Sequence, residues 1–322
     1  MRYVIVGSGN IAKTWVLALG RTRGTLVACV SRSGNRPAGV GLEVPVFPSL
    51  TAVTRAYDAV ILTTPNGLHH LGAIEAASLG KPVLTEKPLD VTRSAMDAMM
   101  EAHAQAGTLL AVAFQRRTRP DNQALKRLLV EGAFGRVIGA DLSCRFWRDQ
   151  AYYDSADWRG GWAIDGGGPF MQQASHNLDL YQWFFGMPDE VVGRTGTFVH
   201  DIEVEDHGVA ILRYASGLVG SVVASTCAKP GYPARLEVTT ERGCFTTLDE
   251  RIVLWDVEGV PNPASATVAG AGSANTASVS DTTGHEAILM DFEEALATGR
   301  PPLVTAADAA LTTDLILRIL GR

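Results

Sequence analysis

The stretch RYVIVGSGNIAKTWVLALG, residues 2–20, sets the fold of everything that follows it. Tyr3 to Val6 is a short apolar run rich in β-branched residues, Gly7-Ser8-Gly9 breaks it, and Ile11, Trp15, Val16 and Leu19 then recur at helical spacing. The pattern predicts a strand, a tight turn and a helix. In the arrangement G-x-G-x-x-A, Gly7 permits the turn, Gly9 lets the backbone approach a diphosphate, and small Ala12 lets helix and strand pack closely. The backbone N–H groups that open the helix, at Asn10 and Ile11, then face the anion. A dinucleotide is the expected ligand of this half.

Working outward, 322 residues suggest about two domains, and 46% hydrophobic with 19% charged residues is the balance of a soluble globular protein. A net charge of −6 provides no global field for nucleic acid or an anionic membrane. Arg116, Arg117 and Arg119 form one basic cluster, read as a site or interface feature. Cys29, Cys144, Cys227 and Cys244 are scattered without metal-ligand spacing, so reduced thiols and no metal are expected. No apolar run is long enough to span a bilayer, and the opening strand meets glycine too early for a signal peptide. The expected location is the cytoplasm.

Thr25 to Ser31 reads as the second strand. A domain specific for NAD usually ends this strand with an acid, whereas here Ser31-Arg32-Ser33 offers a guanidinium and two hydroxyls that suit a 2′-phosphate. NADP is the first choice and NAD the second. Val44 to Phe47 forms a third strand, with a helix expected near Ala52. Asp58 to Thr64 is the nearly continuous apolar strand of a sheet covered on both faces, and Thr63, Thr64, Pro65 and Asn66 at its carboxyl end should border the cofactor. For Asn66 and His69, capping the helix that follows stands beside ligand contact. Pro82 to Thr85 is the next strand and ends in Glu86-Lys87-Pro88, whose Lys87-Pro88 bond is a candidate cis peptide. Thr92 should cap a helix to Ala106, and Thr108 to Ala113 delivers Phe114-Gln115-Arg116-Arg117 to the same sheet edge.

The glycine turn, T-P-N-x-x-H at Thr64 to His69 and E-K-P at Glu86 to Pro88 resemble the glucose–fructose oxidoreductase, inositol dehydrogenase and MocA family of NAD(P)-dependent enzymes. The resemblance extends over essentially the whole chain. It implies an α/β Rossmann domain followed by an α+β domain with an open, mainly antiparallel sheet covered by helices on one face. The expected division is 1–119 and 120–322, with the C-terminal helix packing near the domain junction. By resemblance, Lys87 lies between nicotinamide and substrate and is catalytic, Glu86 and Gln115 lie near the cofactor, and Arg116 lies near the substrate.

In the second half, Trp147, Arg148, Tyr152, Tyr153, Trp158, Arg159 and Trp162 crowd one loop region. Aromatic faces with guanidinium donors, notably Tyr152, Trp158 and Arg159, suit a polyhydroxylated ring, and a loop anchored by its own aromatics is the competing reading. Gly166-Gly167-Gly168-Pro169 is expected to start a helix whose inward face carries Gln172, His176 and Asp179. The family resemblance makes His176 the general base, and where the family commonly has an assisting aspartate this chain has Gln172. Glutamine orients a hydroxyl but cannot take its proton, so His176 is either unassisted or helped by Lys87. Asp179 reads as a salt-bridge or capping residue. Six strand-like runs follow from Val191 to Trp255, with hairpin turns at Ala215-Ser216-Gly217 and Glu241-Arg242-Gly243. Tyr232 reaches the substrate by resemblance only. One face of such a sheet is open unless another copy covers it, so a homodimer or homotetramer joined sheet to sheet is expected. Val260 to Thr283 has the composition of a surface loop. Thr305-Ala306-Ala307-Asp308 is a capping box opening a last helix with Leu311, Leu315 and Ile319 on its apolar face.

These features imply an NAD(P)-dependent oxidoreductase acting on a secondary alcohol or ketone of a sugar, cyclitol or related polyol. A non-catalytic dinucleotide sensor or repressor and an NAD-dependent glycoside hydrolase are the alternatives.

Overall fold

The computed structural model describes residues 1–264 and 281–322. Most of the stretch expected to be a surface loop, Val260 to Thr283, lies outside the described residues. The described chain falls into two units, one of residues 1–115 and 281–310, the other of residues 116–264 and 311–322. The expected single cut near residue 119 therefore differs from the structure. The physical reason is apolar: Ile288, Leu289 and Phe292 of a late helix bury in the core of the first unit.

The first unit is built from β1 (Arg2–Val6), α1 (Asn10–Arg21), β2 (Thr25–Val30), β3 (Val46–Phe47), β4 (Ala59–Leu62), α2 (His69–Ser78), β5 (Val83–Thr85), α3 (Arg93–Ala106) and β6 (Leu110–Val112). The six strands are parallel in the order β3-β2-β1-β4-β5-β6. The order reverses at β1 and β4, which is where such sheets bind ligands. Every residue of β4, β5 and β6 is buried, as cover on both faces requires. Thr92 caps α3 by accepting the Ala95 N–H at 3.2 Å. No helix forms near Ala52. Ser49 Oγ accepts the Ala52 N–H at 3.2 Å, a local turn that competes with helix.

The second unit contains α4 (Pro120–Val130), β7 (Val137–Arg145), α5 (Gln150–Asp154), α6 (Ser175–Phe185), β8 (Glu190–Gly196), β9 (His207–Arg213), β10 (Val219–Ser225), β11 (Arg235–Thr240), β12 (Gly243–Leu248) and β13 (Arg251–Val257). Its sheet runs β13-β12-β11-β7-β10-β9-β8, antiparallel except between β7 and β10. Leu125 of α4 and Leu178 and Tyr181 of α6 bury in one core with Ala140, Leu142, Ala210 and Val222 of the sheet. On the other face Val192, Val209, Ile211 and Val219 are exposed, and the strand register sets Val192 beside Ile211.

Two helices close the chain, α7 (Thr283–Thr298) and α8 (Ala306–Ile319). The capping box forms as expected: Thr305 Oγ1 accepts the Asp308 N–H at 3.0 Å, and the Asp308 carboxylate takes the Thr305 N–H at 3.4 Å. Leu315 and Ile319 are buried, but Leu311 is 42% exposed, so the apolar face is narrower than expected.

Candidate active site

In the first unit, the carboxyl ends of the parallel strands collect the expected nucleotide residues. Gly7 has φ +111°, and a Cβ there would lie 2.6 Å from Thr63 Oγ1 and 2.7 Å from the Thr63 carbonyl oxygen, so only glycine fits. A Cβ on Gly9 would meet nothing within 4 Å. Gly9 caps α1 without a side-chain hydrogen bond, and the open space lies where N–H groups of the first helical turn emerge. Thr63 Oγ1 donates to the Val6 carbonyl at 2.8 Å, while the buried Thr64 Oγ1 has no hydrogen-bond partner among the described residues. An open cradle at a helix start beside an orphaned hydroxyl fits a dinucleotide diphosphate. Ser31 follows β2 with its hydroxyl 3.1 Å from that of Ser33, and the Arg32 side chain between them is exposed.

The E-K-P loop is held from two sides. Glu86 is buried; Trp15 Nε1 donates to its Oε1 at 2.8 Å, and His285 Nε2 lies 3.5 Å from the same oxygen, an electrostatic contact. Burial opposes the charge on Glu86, but His285, Lys87 and Trp15 outweigh it and hold the carboxyl below its ordinary range. Lys87 is half-buried, its bond to Pro88 is cis, and its N–H donates to Glu86 Oε2 at 3.3 Å. On the other side, His69 is fully buried, with Nδ1 2.8 Å from the Pro88 carbonyl and Nε2 2.9 Å from the Thr64 carbonyl.

His69 and Glu86 therefore strap the loops at the ends of β4 and β5 through their side chains, a role beside the cofactor contact expected of each. The helix-capping reading also changes. α2 begins after a 3₁₀ turn at Asn66–Leu68 without a side-chain cap, and buried Asp90 takes the His70 N–H at 3.0 Å. Gln115 opens the turn that leaves the first unit, and a Cβ on Gly284 would lie 2.9 Å from its Cγ.

In the second unit, the glycine run does not start a helix. A Cβ on Gly168 would lie 1.6 Å from the Glu205 carbonyl oxygen, and Glu205 Oε1 takes the N–H groups of Gly168 at 3.0 Å and Phe170 at 3.4 Å. Gln172 consequently sits in the turn before α6, its Nε2 on the Asp165 carbonyl at 2.7 Å, and it does not share a helical face with His176. His176, half-buried, is the second residue of α6. Asp179, fully buried, is gripped by Arg117 through Nε at 2.9 Å and Nη2 at 2.7 Å and by Thr312 Oγ1 at 3.1 Å. That is the salt-bridge role expected of Asp179.

Arg116 pairs with half-buried Glu250 and donates to Asn177 Oδ1 at 3.3 Å. This internal pairing engages Nη1, and Glu250, at φ +69°, sits on the turn between β12 and β13. Tyr152 OH accepts from Arg159 Nη1 at 2.9 Å and from Gln173 Nε2 at 3.3 Å, and Arg159 lies 4.6 Å from the Tyr152 ring and 4.7 Å from the Trp158 ring. Tyr153 instead anchors the loop, its hydroxyl 2.8 Å from Thr226 Oγ1. Tyr232 is 52% exposed on the loop before β11.

His200, Asp206 and Cys227 come within 4.8 Å of one another. Their polar atoms bond within the protein: His200 Nδ1 lies 3.0 Å from Asp206, His200 Nε2 lies 2.9 Å from the Arg148 carbonyl, and Cys227 Sγ lies 3.3 Å from the Asp206 carbonyl. The cluster pins the aromatic loop. His285, His200, Glu205 and Gln173 were not expected at the site, and each acts on residues too distant in sequence for any local pattern to reveal.

A parallel sheet of this order, with a glycine turn after its first strand and a pinned lysine loop after its fifth, defines a dinucleotide-binding oxidoreductase. The family model described as an oxidoreductase family with an NAD-binding Rossmann fold matches residues 1–114, and the GFO/IDH/MocA C-terminal domain matches residues 122–246. The chain belongs to the GFO/IDH/MocA oxidoreductases. It is 29% identical to 1,5-anhydro-D-fructose reductase of Ensifer adhaerens, over 68% of this chain and 67% of that one. It is 26% identical to the NAD-dependent scyllo-inositol 2-dehydrogenase of Bacillus subtilis, over 80% and 73%. Among solved structures, the WlbA dehydrogenase of Bordetella pertussis in complex with NADH and UDP-GlcNAcA is 29% identical with a TM-score of 0.85, covering 99% of this chain and 95% of that one.

Proposed function

We propose that the protein transfers a hydride between a nicotinamide dinucleotide, NADP(H) before NAD(H), and a carbon bearing a secondary hydroxyl or ketone in a sugar, cyclitol or related polyol. The observation that carries this reading is the E-K-P loop: Lys87 stands at the carboxyl end of β5 between a buried carboxylate and a buried imidazole that hold the loop on either side. The relatives named above act on anhydrofructose and inositol, which supports the polyol class. The nicotinamide, when bound, gives or takes the hydride. Lys87 donates a hydrogen bond to the reacting oxygen and offsets its developing negative charge. His176 exchanges that oxygen's proton, and Gln172 orients the hydroxyl. Gly7, Gly9, Asn10 and Ile11 hold the diphosphate, and Ser31, Arg32 and Ser33 the ribose phosphate.

The protein is proposed to work in the cytoplasm, in keeping with its four free thiols. Copies are proposed to join through the open sheet face at Val192, Val209, Ile211 and Val219. No described helix is long and apolar enough to cross a membrane.

The test is turnover of a polyol and ketose panel with each dinucleotide. Lys87→Met and His176→Ala should each lower kcat by roughly 10² to 10⁴ while dinucleotide affinity stays within about twofold. Unchanged turnover, or loss of dinucleotide binding in its place, removes the assigned roles.

A further inference from the structure

We propose that the substrate is an acidic sugar, a polyol carrying an oxyanion such as a carboxylate or phosphate, and that Arg159 recognises the oxyanion. This rests on the polyol reading above and narrows it.

Arg159 differs from the other paired arginines of the molecule. Arg2, Arg116, Arg117, Arg213 and Arg300 each meet a carboxylate within ion-pair distance. Arg159 is half-buried and meets none among the described residues. Its guanidinium lies over two aromatic rings, Tyr152 at 4.6 Å and Trp158 at 4.7 Å, faces that orient it without neutralising it. Nη1 donates to the Tyr152 hydroxyl, while Nε is buried with no hydrogen-bond partner among the described residues. In Arg117 the equivalent Nε–Nη2 edge grips both oxygens of Asp179. The fork that one arginine fills from within the protein is thus left by the other without an internal acid.

The surroundings sharpen the point. Tyr152 oxygen already accepts from Arg159 and Gln173, so its own proton remains to be donated. Gln173 Oε1 is buried and has no partner among the described residues. Arg148 lies 5.5 Å from the same Tyr152 ring, and burial, with Arg159 adding to it, pushes its guanidinium below the ordinary arginine range. Two cations lie by one phenol in a partly dry setting, and the buried Asp165 carboxylate acts on it as well, outside ion-pair distance of Arg159. No carboxylate within ion-pair distance among the described residues neutralises this half-buried guanidinium, and an oxyanion accepting from its solvent-reachable part and from the Tyr152 hydroxyl does so with charge-assisted bonds. A neutral polyol supplies hydroxyls for Gln173 and Tyr152 but leaves the charge of Arg159 unmatched.

The experiment measures binding to the full chain saturated with the preferred dinucleotide, using two matched pairs: D-glucuronate against its methyl ester, and D-glucose 6-phosphate against D-glucose. At least one charged member should bind about tenfold or more tightly than its uncharged partner, and which pair shows the difference identifies carboxylate or phosphate. Arg159→Gln should bring that ratio to within about twofold, Arg159→Lys should restore part of it, and added salt should weaken it. Ratios near one in both pairs for the unmodified protein overturn the proposal, a result that needs no variant to fold. A preference that survives Arg159→Gln also overturns the role of Arg159. Turnover of neutral polyols without any charge preference sinks this inference and leaves the proposed reaction standing; charge preference without turnover does the reverse.

Discussion

Strand β4 is buried at each of its positions, Ala59–Leu62, whereas β9 alternates, with Gly208, Ala210 and Leu212 covered and Val209, Ile211 and Arg213 less so or exposed. The difference separates the two units chemically as well as architecturally. A sheet covered on both faces can present side chains to a ligand only where its strands end, so Gly7, Ser31, Thr63 and Glu86 each follow a strand directly. The one-sided sheet imposes no such rule. Candidate ligand groups of the second unit come from a loop, a turn and the helices α5 and α6, and polar contacts between distant parts of the sequence hold them there. Arg117 reaches Asp179, Glu205 reaches Gly168, and His200 reaches the Arg148 carbonyl.

That contrast can be broken most forcibly at Arg117. Arg117→Met strands the buried Asp179 carboxylate and should cost about 3–5 kcal/mol in denaturant unfolding; a loss under about 1 kcal/mol would mean that the second unit does not depend on its long-range pins. Glu205 tests the same idea through pH. Burial pushes its carboxyl up to about 7, above its unfolded value of about 4.3. The folded state therefore holds the proton more tightly, and the stability this contributes is full below the unfolded value and lost as pH rises toward 7 and beyond. Measured against Glu205→Gln, which keeps an acceptor for Gly168 and Phe170, the unmodified protein should lose about 3 kcal/mol of relative stability between pH 5 and pH 8. A pH-independent difference would place the carboxylate in water. The smallest effect belongs to the first unit, where Thr92→Ala removes a cap read directly from its neighbours and should cost about 1 kcal/mol.

The same contrast explains what could be read from sequence alone. Strands of the first unit are contiguous apolar runs and their ends are marked by glycine, proline or a charged residue, so sheet, glycine turn and lysine loop were legible. The caps at Thr92 and Thr305 are legible because cap and capped N–H lie within one turn. His69 was visible as a residue but not as a strap, because its two acceptors are backbone carbonyls that no side-chain pattern announces. Gln172 reads as helical because three and four residue spacing is all that sequence offers; Glu205, folded beneath Gly168, keeps that segment in a turn. Arg116 and Arg117 look alike in sequence, and only the positions of Glu250 and Asp179 distinguish them.

The return of α7 to the first unit has a consequence for how the molecule is made. Trp15 and Glu86 leave the ribosome early, yet the histidine that completes their cluster, His285, and the apolar residues Ile288, Leu289 and Phe292 that fill the same core follow only after residues 116–264 of the second unit have been synthesised. Until that helix arrives, the nascent nucleotide domain lacks the residues that cover this part of its core.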